Sequence, residues 1–138
     1  MSQFKETGDL DLKSGKGIRS IDVPLNLNSK LVAASSGSEV KVFNTEKNAE
    51  LFSMDPFKEN VGMVKFIPGS DELAVISSSE SSRAAVWNVK TSTSVYEINC
   101  HKDIVTDVTF TPLEGYMMIS SRDGSWSLHD YFNKVKLN

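Results

Sequence analysis

His101, Asp123 and His129 are the first residues of this chain that could do chemistry, as an imidazole–carboxylate dyad with a second imidazole. Such a dyad acts on a substrate only beside a nucleophile and an oxyanion hole, and no motif for either accompanies it. The sequence therefore predicts a structural role for all three. Cys100, His101 and His129 offer sulfur and nitrogen to zinc. Structural zinc sites take four ligands paired at short spacing, and none of those pairs exists here. Cys100 and His101 are adjacent, and in an extended segment they are expected to point to opposite faces. Lys13-Ser14-Gly15-Lys16-Gly17 faintly suggests a phosphate loop, but the Walker spacing needs glycine where Leu10 stands and serine or threonine where Gly17 stands. It reads as a glycine-rich linker. No catalytic, cofactor-binding or metal-binding residue is predicted, and no enzyme activity.

The larger side chains suit contact better than catalysis. Trp87 is expected to pack in a core. Trp126 shares a strand face with Leu128 and Asp130, with Ser125 and Ser127 on the other. It is a candidate partner anchor, because interface hot spots favour tryptophan. The serine cluster from Ser77 to Ser82 reads as a solvated turn. Phosphate there would add about −1.5 to −2 charges per site.

Bulk properties exclude several classes. The chain has 138 residues, room for one ordinary domain, with 39% hydrophobic and 24% charged residues. A formal net charge of −3 gives no electrostatic reason to expect nucleic acid as a partner. No apolar run approaches the ~20 residues that cross a bilayer, so no membrane partner is expected. The opening residues, Met1 to Glu6, lack the apolar stretch of a signal peptide. Cys100 is the single cysteine, which predicts a reducing compartment, nucleus or cytosol.

The elements that must position these residues repeat. Ile18 to Pro24, Gly62 to Pro68 and Thr106 to Pro112 each alternate apolar and polar residues before a proline, and the prolines are spaced by 44 both times. A second apolar run follows each: Leu31 to Ala34, Leu73 to Ile76, and Tyr116 to Ile119. Serine-rich turns then lead to third strands, Val40 to Asn44, Ala84 to Asn88 and Trp126 to Asp130, and weaker fourth runs close each unit. Four short strands per unit is the period of a propeller blade. The expected fold is all-β, three four-stranded antiparallel blades of an incomplete ring, with a lead-in at 1–16 and blades at 17–54, 55–99 and 100–138. Leu10 and Leu12 alternate with Asp9 and Asp11, so the lead-in is either a short edge strand or flexible.

The units resemble WD repeats, named for the Trp-Asp pair that ends a blade's third strand. Phe43-Asn44, Trp87-Asn88 and His129-Asp130 stand at those places, and Cys100-His101 stands where the family has Gly-His. Asp123 falls at the repeat's turn aspartate. Val40 to Asn44, Val105-Thr106, and Tyr116 to Asp130 with Trp126 early in its strand are, more narrowly, similar to the early blades of the pre-mRNA-processing factor nineteen family, the U-box ubiquitin ligases of the spliceosomal NineTeen complex. No segment resembles that family's U-box or its coiled coil. The resemblance implies a hydrogen-bonded network of the Gly-His histidine, a strand hydroxyl, the turn aspartate and the Trp. Here the hydroxyl position falls on Ile119 and the Trp position on His129, which implies an incomplete network reduced to His101 and Asp123.

In propellers the loops joining strands four to one and two to three share a rim. That rim would carry Lys102, Asp103, Glu80 and Arg122, which with Trp126 are the candidate protein-binding residues. Three blades cannot close a ring, and closure is what protects strand edges. The chain is therefore expected to need further blades, from its own polypeptide (the favoured source, as a fragment), a second copy or another protein. The resemblance implies a nuclear scaffold that docks proteins in a splicing complex. Alternatives are the substrate-recognition arm of a ubiquitin ligase, or a WD-repeat adaptor in trafficking or signalling.

Overall fold

A computed structural model describes residues 16–26 and 28–138. The proposed strand around Leu10 and Leu12, and most of the Lys13–Gly17 segment, lie outside them. None of the described residues is helical, so no helix among them is long and apolar enough to cross a membrane.

Among the described residues twelve strands form three antiparallel sheets, each in sequence order. The first holds β1 (Ile18–Asp22), β2 (Leu31–Ser36), β3 (Glu39–Asn44) and β4 (Ala49–Met54). The second holds β5 (Val61–Phe66), β6 (Leu73–Ser78), β7 (Ala84–Asn88) and β8 (Thr93–Ile98). The third holds β9 (Val105–Phe110), β10 (Tyr116–Ser121), β11 (Trp126–Asp130) and β12 (Val135–Lys136). Ile21, Val64 and Val108 hold one equivalent place, opposite Ala34, Ile76 and Ile119. Pro24 follows Ile21 by three residues, whereas Pro68 and Pro112 follow their valines by four. The proline spacing thus marks the repeat to within one residue.

The second residue of each degenerate pair explains how the third strand ends. Asn44 Oδ1 accepts from the backbone N–H of Glu46 and Lys47, both at 2.9 Å. Asn88 Oδ1 accepts likewise from Lys90 at 3.0 Å and Thr91 at 3.1 Å. Asp130 Oδ1 accepts from Asn133 at 2.9 Å. A short side-chain oxygen that replaces a backbone acceptor initiates the turn, so asparagine serves as well as aspartate. Each turn then returns through a left-handed residue, Asn48, Ser92 or Lys134.

Two apolar layers join the sheets. Between the first and second lie Ala33, Val40, Val42 and Met54 against Val64, Phe66, Ala74 and Ile76, with Trp87 partly buried at its margin. Between the second and third lie Val75, Ala84, Val86 and Ile98 against Val108, Met117 and Ile119. The innermost strands present one unpaired edge, which costs free energy unless covered. Side chains cover it: Phe66 N–H donates to Asp22 Oδ2 at 2.7 Å, Val64 N–H donates to Ser20 Oγ at 3.2 Å, and Lys65 Nζ donates to Val108 O at 2.9 Å. Each bond runs from one blade to the next.

Candidate functional site

The third blade carries a continuous polar chain. Ser125, Ser127 and His129 alternate along and just before β11, so they share its inward face. His101 comes from the loop before β9. Tyr96 comes from β8 of the preceding blade. Tyr96 Oη lies 2.8 Å from His129 Nδ1, and His129 Nε2 lies 2.7 Å from Ser127 Oγ. Ser127 Oγ lies 2.8 Å from His101 Nε2, whose Nδ1 is 2.9 Å from Ser125 Oγ. Ser125 Oγ in turn donates to Asp123 Oδ1 at 2.5 Å.

The direction of the protons follows from the acceptor end. A carboxylate only accepts, so with Ser125 donating to it His101 must donate from Nδ1. His101 Nε2 then accepts from Ser127, Ser127 accepts from His129 Nε2–H, and His129 Nδ1 accepts from the tyrosine hydroxyl. Every donor is used once. The electrostatics agree, since burial pushes the His129 imidazole down to about 4, which keeps it neutral. Burial, with Cys100 beside it, raises the Tyr96 phenol, so the tyrosine keeps its proton. The Ser125 hydroxyl and the Lys102 N–H hold Asp123 well below the usual carboxylate range.

This chain corrects two sequence expectations. The network is not reduced to His101 and Asp123, which are 3.5 Å apart. The hydroxyl absent at Ile119 is supplied by Ser127 from the neighbouring strand, and Tyr96 extends the chain across a blade boundary. Nor do Cys100 and His101 diverge: the segment before β9 is not extended strand, and Cys100 Sγ comes within 3.8 Å of His129 Nε2. Ser127 and His129 are fully buried, so the imidazoles and the serine are not presented to a substrate. The chain joins two blades.

The opposite face of the third blade is open. β10 alternates between buried Met117, Ile119 and Ser121 and half-buried Tyr116, Met118 and Ser120. In the middle blade the corresponding β6 is buried on both faces from Ala74 to Ser78. Trp126 stands on this open face, 55% exposed, at the place where the middle blade has fully buried Ala84. The usual polarity is inverted on β11, with serine and histidine inside and tryptophan and leucine outside. This is the pattern of a surface that meets another apolar surface.

On the rim, Arg122 grips Asp103 through Nε at 3.2 Å and Nη2 at 3.1 Å, and Lys102 N–H donates to Asp123 at 2.8 Å. Glu80 is exposed in the β6–β7 turn. Trp126 lies apart from these four, on the sheet face. Tyr96, Ser125 and Ser127 escaped the sequence reading. The period-2 alternation of Ser125, Ser127 and His129 was the available signal; for Tyr96 there was none, because its partner is 33 residues away.

No known family profile matches the chain. Among solved structures it is similar to the WD40 repeats of RRP9, with a TM-score of 0.76, 12% identity, and coverage of 90% of this chain and 38% of that one. The computationally designed Ika4 protein superposes with a TM-score of 0.79 and 16% identity over 99% of this chain and 79% of that one. In sequence it is 32% identical over 82 residues to WD repeat and SOCS box-containing protein 1 of Takifugu rubripes, 56% of this chain and 19% of that protein. The described residues have the fold of three WD-repeat propeller blades. Pre-mRNA-processing factor 19 of Bos taurus is 26% identical over 114 residues, 83% of this chain and 22% of that protein. The chain thus spans about a fifth of the length of the curated relatives it matches. Among the described residues the three blades form no closed ring.

Proposed function

We propose that this chain is an interaction scaffold of a nuclear pre-mRNA splicing assembly, one that docks proteins through the rim of Lys102, Asp103, Glu80 and Arg122 and through the open face of Trp126. The likeness to pre-mRNA-processing factor 19 over 83% of the chain carries this reading. The geometry supports docking over catalysis, because the imidazoles bond inward and the exposed tryptophan lies on a largely apolar face. The decisive experiment immobilises the chain in nuclear extract and identifies what it retains. Splicing components are expected, and less of them on a Trp126→Asp variant; retention of none overturns the assignment. A second reading, an adaptor outside splicing, is favoured by the higher identity to WD repeat and SOCS box-containing protein 1. It predicts retention of non-splicing proteins in the same assay.

A further inference from the structure

We infer that a cleft on the rim, between Arg19 and Arg122, binds a phosphorylated peptide, an inference that rests on the docking reading and names the partner's chemistry. The cleft has a volume of about 340 Å³ and draws on all three blades. Its shape comes from a repeated irregularity. Each first strand carries one unpaired bulge residue: Arg19 between Ile18 and Ser20, Gly62 between Val61 and Met63, and Thr106 between Val105 and Asp107. Bulges re-aim side chains, and all three of these residues line the cleft. At the middle position glycine keeps the floor low, since a Cβ there would come within 3.2 Å of Ser79.

The cleft lining holds two cations, Arg19 and Arg122, and no carboxylate. Asp103 is bound by Arg122. Glu59 accepts from the hydroxyls of Ser78 and Ser81. Asp123 accepts from Ser125 and from Lys102 N–H. Glu80 lies in the neighbouring turn and does not line the cleft. Arg19 is exposed and makes no hydrogen bond or ion pair among the described residues, while the grip of Asp103 on one edge of Arg122 orients that guanidinium. Two guanidiniums at one cleft suit a phosphate, which carries about −1.5 to −2 charges and accepts from both. The rest of the lining includes Met63, Ile104 and Val105. Apolar walls beside the charge call for side chains next to the phosphate, which a peptide supplies and a free ion does not.

The test measures fluorescence anisotropy of the 138-residue chain with a labelled degenerate peptide pool bearing a central phosphoserine, and with the same pool unphosphorylated. The phosphorylated pool is expected to bind about tenfold tighter or better, the scale of one charge-assisted bidentate contact. Arg19→Ala should abolish the preference without changing the melting temperature, since Arg19 bonds to nothing it could release. Arg19→Lys should keep only part of it. Equal binding of the two pools, or an undiminished preference in Arg19→Ala, overturns the inference. Competition by inorganic phosphate or single-stranded RNA as effective as by the phosphopeptides also overturns it. The docking reading fails separately: retention of no protein from extract overturns that reading, whereas equal binding of the two peptide pools beside intact retention removes only this inference.

Discussion

The Tyr96 hydroxyl of the second blade lies 2.8 Å from Nδ1 of His129 in the third, and this one bond ties a five-member polar chain to the neighbouring blade. Tyr96→Phe should destabilise the fold by about 1–3 kcal/mol, because it leaves a buried imidazole nitrogen without its donor. Urea unfolding with an unchanged m-value is the measurement.

Two equally buried serines should respond oppositely to the same change. Ser127 and Ser77 are 0% and 1% exposed. Ser127 bridges both histidines, whereas Ser77 Oγ has no partner. Ser127→Ala is expected to cost about 1–3 kcal/mol and Ser77→Ala to be neutral or stabilising. Matched urea titrations compare them directly.

Acid should weaken the fold in a defined window. The folded chain holds the His129 imidazole down to about 4, against an ordinary value of 6.5. Between those values the unfolded chain binds a proton that the folded chain does not, so stability falls as pH falls. Above pH 6.5 this contribution is fully present. Asp123 adds a separate loss only below its ordinary value of 3.8, because its folded carboxyl is shifted downward. Melting temperature measured against pH should slope between pH 6.5 and 4, and His129→Asn should flatten that slope.

Asp22 covers an edge of the second blade from the first, through the Phe66 amide. Asp22→Ala should cost about 1.5–3 kcal/mol, the scale for a hydrogen bond to a charged group. Hydrogen exchange at Phe66 should accelerate with it, and Asp22→Asn should recover part of the protection.

Trp126 and Trp87 should be spectroscopically distinct. Trp126 is 55% exposed, while Trp87 packs edge-on to Phe57 at 6.2 Å. Iodide should quench one component of the emission, and Trp126→Phe should remove it. Trp126→Asp should also reduce concentration-dependent association in sedimentation, since it places a charge on the exposed apolar face.

Most of the fold was legible because it is periodic. Alternation, prolines and serine-rich turns are local signals, and they located all three four-stranded units with strand ends close to those observed. Asn44, Asn88 and Asp130 were legible as a set for the same reason: a turn needs only a short oxygen-bearing side chain a few residues upstream. The polar chain was less so. The missing hydroxyl at Ile119 could be read from the repeat, but its replacement by Ser127 depends on which strand face turns inward, and the bond to Tyr96 depends on how two sheets are set against each other.

The sequence by itself determined the repeat, the four strands of each unit and the turns between them, since these follow from side-chain period and backbone preference within a few residues. Only the tertiary structure decided that serine and histidine on β11 face the core while tryptophan and leucine face out. Alternation shows that a strand has two faces; burial depends on which neighbouring blade is there to cover each one.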